Sequence, residues 1–209
     1  MKTRELEAIW RKVRIEDILP SFVVKGSLAY DAPVGDLLRA VIFDRSSDKS
    51  VFFVHCFFQP MFILRWHLVL GYGDRLRTRM NNEGWSSDRS DLEEELRYAI
   101  STVAKPFLDS VNNLESGVRY LQRKKGVNLY DFNAREYLAA SFARLGRLSE
   151  ASKEWTELLA MIDLDPVLKP EIERRVIALQ GAFARSMAEG QAQLDVWAAE
   201  TRANLKLPA

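Results

Sequence analysis

Residues 52–60, Phe-Phe-Val-His-Cys-Phe-Phe-Gln-Pro, place His55 beside Cys56, the one cysteine of the chain. A histidine that takes the proton of a thiol makes a nucleophile, so this pair is the first candidate for chemistry. The neighbouring residues argue against it. Residues 51–58 are β-branched and aromatic, the composition of a strand. Successive side chains of a strand point to opposite faces, so His55 and Cys56 cannot act as a dyad. Cys56 shares its face with Phe52, Val54 and Phe58, which marks it as a small buried hydrophobe. His55 shares the other face with Val51, Phe53 and Phe57. Both faces are apolar, so the strand is predicted to be central and covered on both sides.

The second histidine lies in Ile-Leu-Arg-Trp-His-Leu-Val-Leu, residues 63–70, which also reads as a strand. Pairing of 51–58 with 63–70 around Met61 would set His55 opposite His67 and Cys56 opposite Trp66. Two neutral imidazoles can sense pH or bind a metal weakly. Zinc needs three or four ligands, and neither strand carries a carboxylate at suitable spacing. The expectation is therefore no metal, no cofactor and no catalytic residue. Arg75, Arg77 and Arg79 alternate and would form a basic comb on an extended chain, an anion site for phosphate or an acidic partner. The plainer reading is charge that keeps a sheet edge from pairing with another chain. Gly-Tyr-Gly-Asp-Arg-Leu at 71–76 lacks both the spacing and the following helix of a dinucleotide fingerprint. No Gly-x-Ser-x-Gly turn is present, and Glu93, Glu94 and Glu95 read as complement to a helix N-terminus.

The elements that would position these residues come in two textures. Residues 3–19 are predicted as an amphipathic helix carrying Leu6, Ile9, Trp10 and Val13, with Thr3 as cap and Pro20 as stop. Runs at 21–30, 37–43, 51–58 and 63–70 read as four strands of an antiparallel meander. Ser90 and Glu93 suggest a capping box, opening a helix that Pro106 should kink or end. A further helix at 114–124 ends before Gly126. Beyond 131, helices are expected near 132–145, 148–162, 168–188 and 191–205, with turns at Gly146 and Gly190. The fold class is α+β: a four-stranded meander with flanking helices in 1–125, and an all-helical domain in 126–209 packed on it.

Within the helical part, residues 135–166 carry Leu138, Ala139, Phe142, Gly146, Ala151, Trp155 and Leu159. Small Ala139 and Ala151 allow close helix approach, Gly146 permits the turn, and the large residues fill the seam. This pattern resembles one tetratricopeptide repeat, with the closing proline displaced to Pro166. The resemblance implies a binding groove lined by the first helix of the hairpin, where Asn133, Glu136, Ala140 and Arg144 would lie. Those residues do not match the basic and asparagine pattern of repeats that clamp a terminal carboxylate. Trp85, in an expected loop, is a further candidate partner contact. The N-terminal 120 residues also resemble an uncharacterised bacterial α+β domain, through Phe57-Phe58-Gln59-Pro60, Gly73-Asp74-Arg75-Leu76 and Pro106-Phe107-Leu108-Asp109-Ser110. Some such domains are associated with conflict and immunity genes.

Composition bounds the function. Thirty basic against twenty-nine acidic residues leave a net charge of +1, without the basic excess of a dedicated nucleic-acid binder. No run approaches the ~20 apolar residues of a membrane span. The start alternates charge and shows no signal peptide, and one cysteine allows no internal disulfide, so the expectation is a complete cytoplasmic protein. The leading expectation is a non-enzymatic protein-interaction module, of the bacterial immunity or adaptor kind, with a protein partner and a homodimer left open. The alternatives are a ligand-binding protein or enzyme using His55, His67 and the arginines, and a nucleic-acid binder using Arg75, Arg77 and Arg79.

Overall fold

A computed structural model describes residues 2–125, 132–162, 167 and 169–208. Two compact units divide the chain, one formed by Met1–Gln59 with Val69–Asn112, the other by Pro60–Leu68 with Asn113–Ala209. The division is not a single cut: a short stretch of the N-terminal half belongs with the helices. The expected boundary at 125–131 lies largely outside the described residues, as does Pro166.

The first unit is α+β. Helix α1 (Thr3–Val13) places Leu6, Trp10 and Val13 on its buried side. It ends earlier than Pro20: Arg14 adopts a left-handed conformation, with φ +49°, and a 3-10 turn (Ile15–Asp17) follows. The residues read as one strand at 21–30 form a hairpin instead, β1 (Phe22–Lys25) and β2 (Leu28–Asp31). Gly26 lies at the bend with φ +62°, a conformation that glycine adopts without steric cost. Strands β3 (Leu37–Arg45) and β4 (Val51–Pro60) follow.

The fourth expected strand is absent at 63–70. Its place along β4 is taken by β5 (Gly73–Leu76), paired to Val54–Phe57, and β6 (Gly84–Ser86), paired to Val51–Phe53. The order is β1-β2-β3-β4-β5, with β6 also on β4, so among the described residues the sheet has six strands rather than four. Gly73 allows the approach, because a Cβ there would lie 1.8 Å from the Cys56 carbonyl oxygen.

One face of the sheet is packed by α1 and by α2 (Leu92–Ala99). The Trp10 ring stacks on Phe43 with centroids 3.8 Å apart, and Phe43 meets Phe52 edge-on at 5.1 Å. Helix α2 starts at Leu92 with Asp91 as cap residue and without a side-chain cap bond, so the Ser90 capping box does not form. It passes through a π turn (Ile100–Ala104) into α3 (Lys105–Ser110). Pro106 follows directly on this turn; it lacks an N–H and crowds the carbonyl four residues back, and the wider π geometry relieves that crowding without ending the helix.

The second unit contains α4 (Leu114–Lys125), α5 (Phe132–Arg144), α6 (Leu148–Ile162), α7 (Lys169–Arg185) and α8 (Met187–Asn204). Gly146 makes the α5–α6 turn with φ +76°. Ala139 and Ala151 are fully buried. Gly190 is not a turn residue. It lies inside α8, where a Cβ would come within 2.2 Å of the Phe183 ring of α7. The turn is made by Ser186, whose hydroxyl accepts the Glu189 N–H at 3.1 Å.

Candidate contact site

His55 and Cys56 are consecutive residues of β4 and so lie on opposite faces, as expected, while the pairing of 51–58 with 63–70 that would have set His55 opposite His67 does not form. In register, His55 faces Arg75 and Cys56 faces Asp74. Cys56 is fully buried in the core, and its thiol donates to the Asp74 carbonyl at 3.5 Å. His55 is buried, with Nε2 4.0 Å from an Asp44 carboxylate oxygen. Burial, aided by Arg75, holds its imidazole below the ordinary value, in the neutral form. His67 lies in the segment assigned to the other unit. Among the described residues no group of three metal-ligating side chains comes together.

The arginine comb is engaged. Arg75 and Arg77 both bind Glu83, at 2.8 and 2.7 Å, and the Arg75 hydrogen bond holds the Glu83 carboxyl below its usual range. Arg79 bridges Glu94 and Glu95. Arg75 and Arg79 also cap the rings of Phe53 and Tyr98. A row read as open charge is thus built into internal pairs. Trp85 is corrected as well: it sits in β6 opposite Phe52, is fully buried, and donates from Nε1 to the Leu76 carbonyl at 3.1 Å. A neighbourhood of serine, asparagine and glycine reads as a loop, while the tryptophan itself packs into the core.

The expected groove face of α5 is occupied from within its own unit. Arg144 donates to Asp195 at 2.7 Å and to Gln191 at 3.1 Å on α8. Gln191 in turn donates to the last carbonyls of α5, those of Ala143 and Arg144. Glu136 is buried between two guanidinium groups. Arg65 Nη2 reaches its Oε2 at 2.6 Å; Arg175 Nε reaches Oε1 at 2.6 Å and Nη2 reaches Oε2 at 3.1 Å. Asn133 accepts from Arg65 at 3.1 Å. Arg175 also binds Glu171, one turn earlier on α7.

This ion-pair cluster explains what happens to residues 61–68. Met61, Phe62 and Ile63 are buried as a strand would bury them, but the backbone groups of Ile63 and Arg65 bond to side chains. The Arg65 N–H donates to Thr201 Oγ1 at 3.1 Å, and Thr201 donates to the Ile63 carbonyl at 2.9 Å. Asn204 donates to the Arg65 carbonyl at 3.1 Å. Buried backbone groups need such partners, and α8 supplies them in place of a strand. Pro60, which has no N–H to donate to a ladder, marks the point where the chain leaves β4.

The segment then presents Trp66, which is 69% exposed. It borders a cavity of ≈ 370 Å³ lined by Arg65, Trp66, His67, Asn133, Glu171, Ile172 and Arg175. The structure brings together His67, Asn133 and, directly behind Asn133, Glu136. Trp66 was missed as a contact in the sequence, because an apolar run with two aromatic-like positions reads as a strand. The available signal was Arg65, a charge inside that run. No protein-family model, curated protein or solved structure matches this chain. No helix among the described residues is long and apolar enough to cross a membrane.

Proposed function

We propose that this chain is a cytoplasmic, non-enzymatic protein-interaction module of the adaptor or immunity kind, and that its contact site is the Trp66 cleft. The observation that carries the reading is an exposed tryptophan next to a backbone held on both sides of Arg65 by Thr201 and Asn204. A large aromatic on a fixed frame binds a partner with little loss of conformational freedom, and such residues dominate interface energetics. The cleft beside it offers apolar surface from Ile172 and polar surface from Asn133, Glu171 and His67. It suits a partner that inserts an apolar side chain flanked by hydrogen-bonding groups.

The finer architecture in this reading is a tetratricopeptide-like hairpin formed by α5 and α6. Its support is the buried Ala139 and Ala151, the Gly146 turn and the buried Leu138, Phe142 and Trp155. The groove face of that hairpin is taken up by α8 and residues 61–68, so the contact surface shifts to its open end at Asn133. The test compares the full chain with Trp66→Ala and with Met80→Ala, a change at another strongly exposed hydrophobe. Proteins retained from cytosol by the parent should be lost with Trp66→Ala and kept with Met80→Ala. Equal retention by both variants contradicts the reading.

A further inference from the structure

Four charged side chains meet at the Trp66 cleft, all of them within the second unit. Arg65, Arg175 and Glu136 are buried, with side-chain exposures of 9%, 4% and 5%, whereas that of Glu171 is 48%. Glu136 is locked between the two guanidinium groups by hydrogen bonds of 2.6, 2.6 and 3.1 Å. These three buried groups carry one positive charge in excess. Glu171 balances it, accepting from Arg175 Nη1 across one turn of α7. Glu171, Arg175 and Arg65 line the cavity.

The four groups are not equally replaceable. None of the three buried charges can leave without stranding the others. A half-exposed carboxylate in an i,i+4 helix pair is worth little and swings into water at small cost. The exchangeable member of the cluster is therefore an acid, and a second acid is what fits its place. Further donors face the same space. Arg175 commits three of its five N–H groups to Glu136 and Glu171 among the described residues. Asn133 uses its Oδ1 for Arg65, which leaves its amide NH2 group as a donor at the cavity wall. Trp66 and Ile172 give the apolar side.

We infer that the cleft takes an acidic side chain of the protein partner, which displaces Glu171 from Arg175 while an apolar neighbour packs on Trp66 and Ile172. This rests on the reading of the Trp66 cleft as the contact site. Arginine held rigidly by a buried acid presents its remaining N–H groups in a fixed direction, the arrangement that suits a carboxylate. A cation from the partner would instead meet Arg65 and Arg175, neither of which can move away. Glu171 thus acts as an internal stand-in for the partner's acid and competes with it.

The test titrates the full chain with 3-phenylpropionate and with its neutral amide, 3-phenylpropionamide. Binding is followed by NMR at the Trp66 indole N–H, the signal that Trp66→Ala removes. Glu171→Gln should bind the carboxylate about fivefold or more tightly than the parent does, since the internal competitor is gone. The amide should gain less than about twofold, and so should the carboxylate on Glu173→Gln, which makes the same charge change on α7 outside the cavity. No gain in Glu171→Gln, an equal gain for the amide, an equal gain in Glu173→Gln, or no carboxylate binding to Glu171→Gln up to about 10 mM would each overturn the inference and leave the Trp66 contact standing. Failure of the Trp66 reading shows separately, as partner retention unchanged by Trp66→Ala, and would remove the inference with it.

Discussion

Arg175 grips Glu136 with two hydrogen bonds, Nε to Oε1 at 2.6 Å and Nη2 to Oε2 at 3.1 Å, and both side chains are buried. Arg65 approaches the same carboxylate from the segment that carries Trp66. One acid therefore fixes two cations drawn from parts of the chain far apart in sequence. A buried charge is tolerated only when paired, and removal of one partner leaves the others without compensation.

Glu136→Gln should accordingly destabilise the helical unit by about 3–5 kcal/mol, the range for a broken buried ion pair. Glu171→Gln, at a half-exposed carboxylate on the same arginine, should cost only about 0–1 kcal/mol. Urea unfolding of the two variants measures the contrast. Equal small losses would mean that the cluster is solvated and does not hold residues 61–68 in place.

His55 predicts a pH dependence with a definite sign. Burial depresses its folded value below the ordinary 6.5, with Arg75 adding repulsion and Asp44 and Glu83 opposing it. The unfolded chain then binds the extra proton first as pH falls, so stability from the neutral imidazole is present above 6.5 and lost on descending through the folded value. His55→Gln should flatten the stability profile between neutral pH and the mildly acidic range. An unchanged slope would show that the carboxylates alone govern it.

Gly190 predicts an overpacking effect. Gly190→Ala should cost about 1–3 kcal/mol, because its Cβ would overlap the Phe183 ring. Phe183→Leu in the same chain should recover part of that loss, giving a double-mutant cycle with clear coupling. Additive effects would mean that α7 and α8 do not approach closely at this point.

The helices were legible because their periodicity is local. Helix α6 spans the expected 148–162, and α5 ends one residue before its expected limit. Cys56 is buried together with its face-mates Phe52, Val54 and Phe58, as strand alternation alone requires. Residues 63–70 misled for a physical reason. β-branched and aromatic composition reports burial, and burial can be met by α8 side chains bonding the backbone as well as by a strand partner. The charged residues misled in the same way. Arg75, Arg77 and Glu136 look free in sequence, and only the fold shows that Glu83, Arg65 and Arg175 neutralise them. The true positions of β5 and β6, in a stretch rich in glycine, asparagine and arginine, carried almost no propensity signal; Gly73 was the cue to close approach.

The central claim is that Trp66 is a partner contact and not a structural residue. Its side chain is exposed, so Trp66→Ala should leave the urea midpoint within about 0.5 kcal/mol of the parent. Partner retention by the full chain should nevertheless fall by about tenfold or more, as for a truncated aromatic hot spot, while Met80→Ala retains it. Unchanged retention at unchanged stability would contradict the account directly, and so would a loss of stability that accounts for the lost retention.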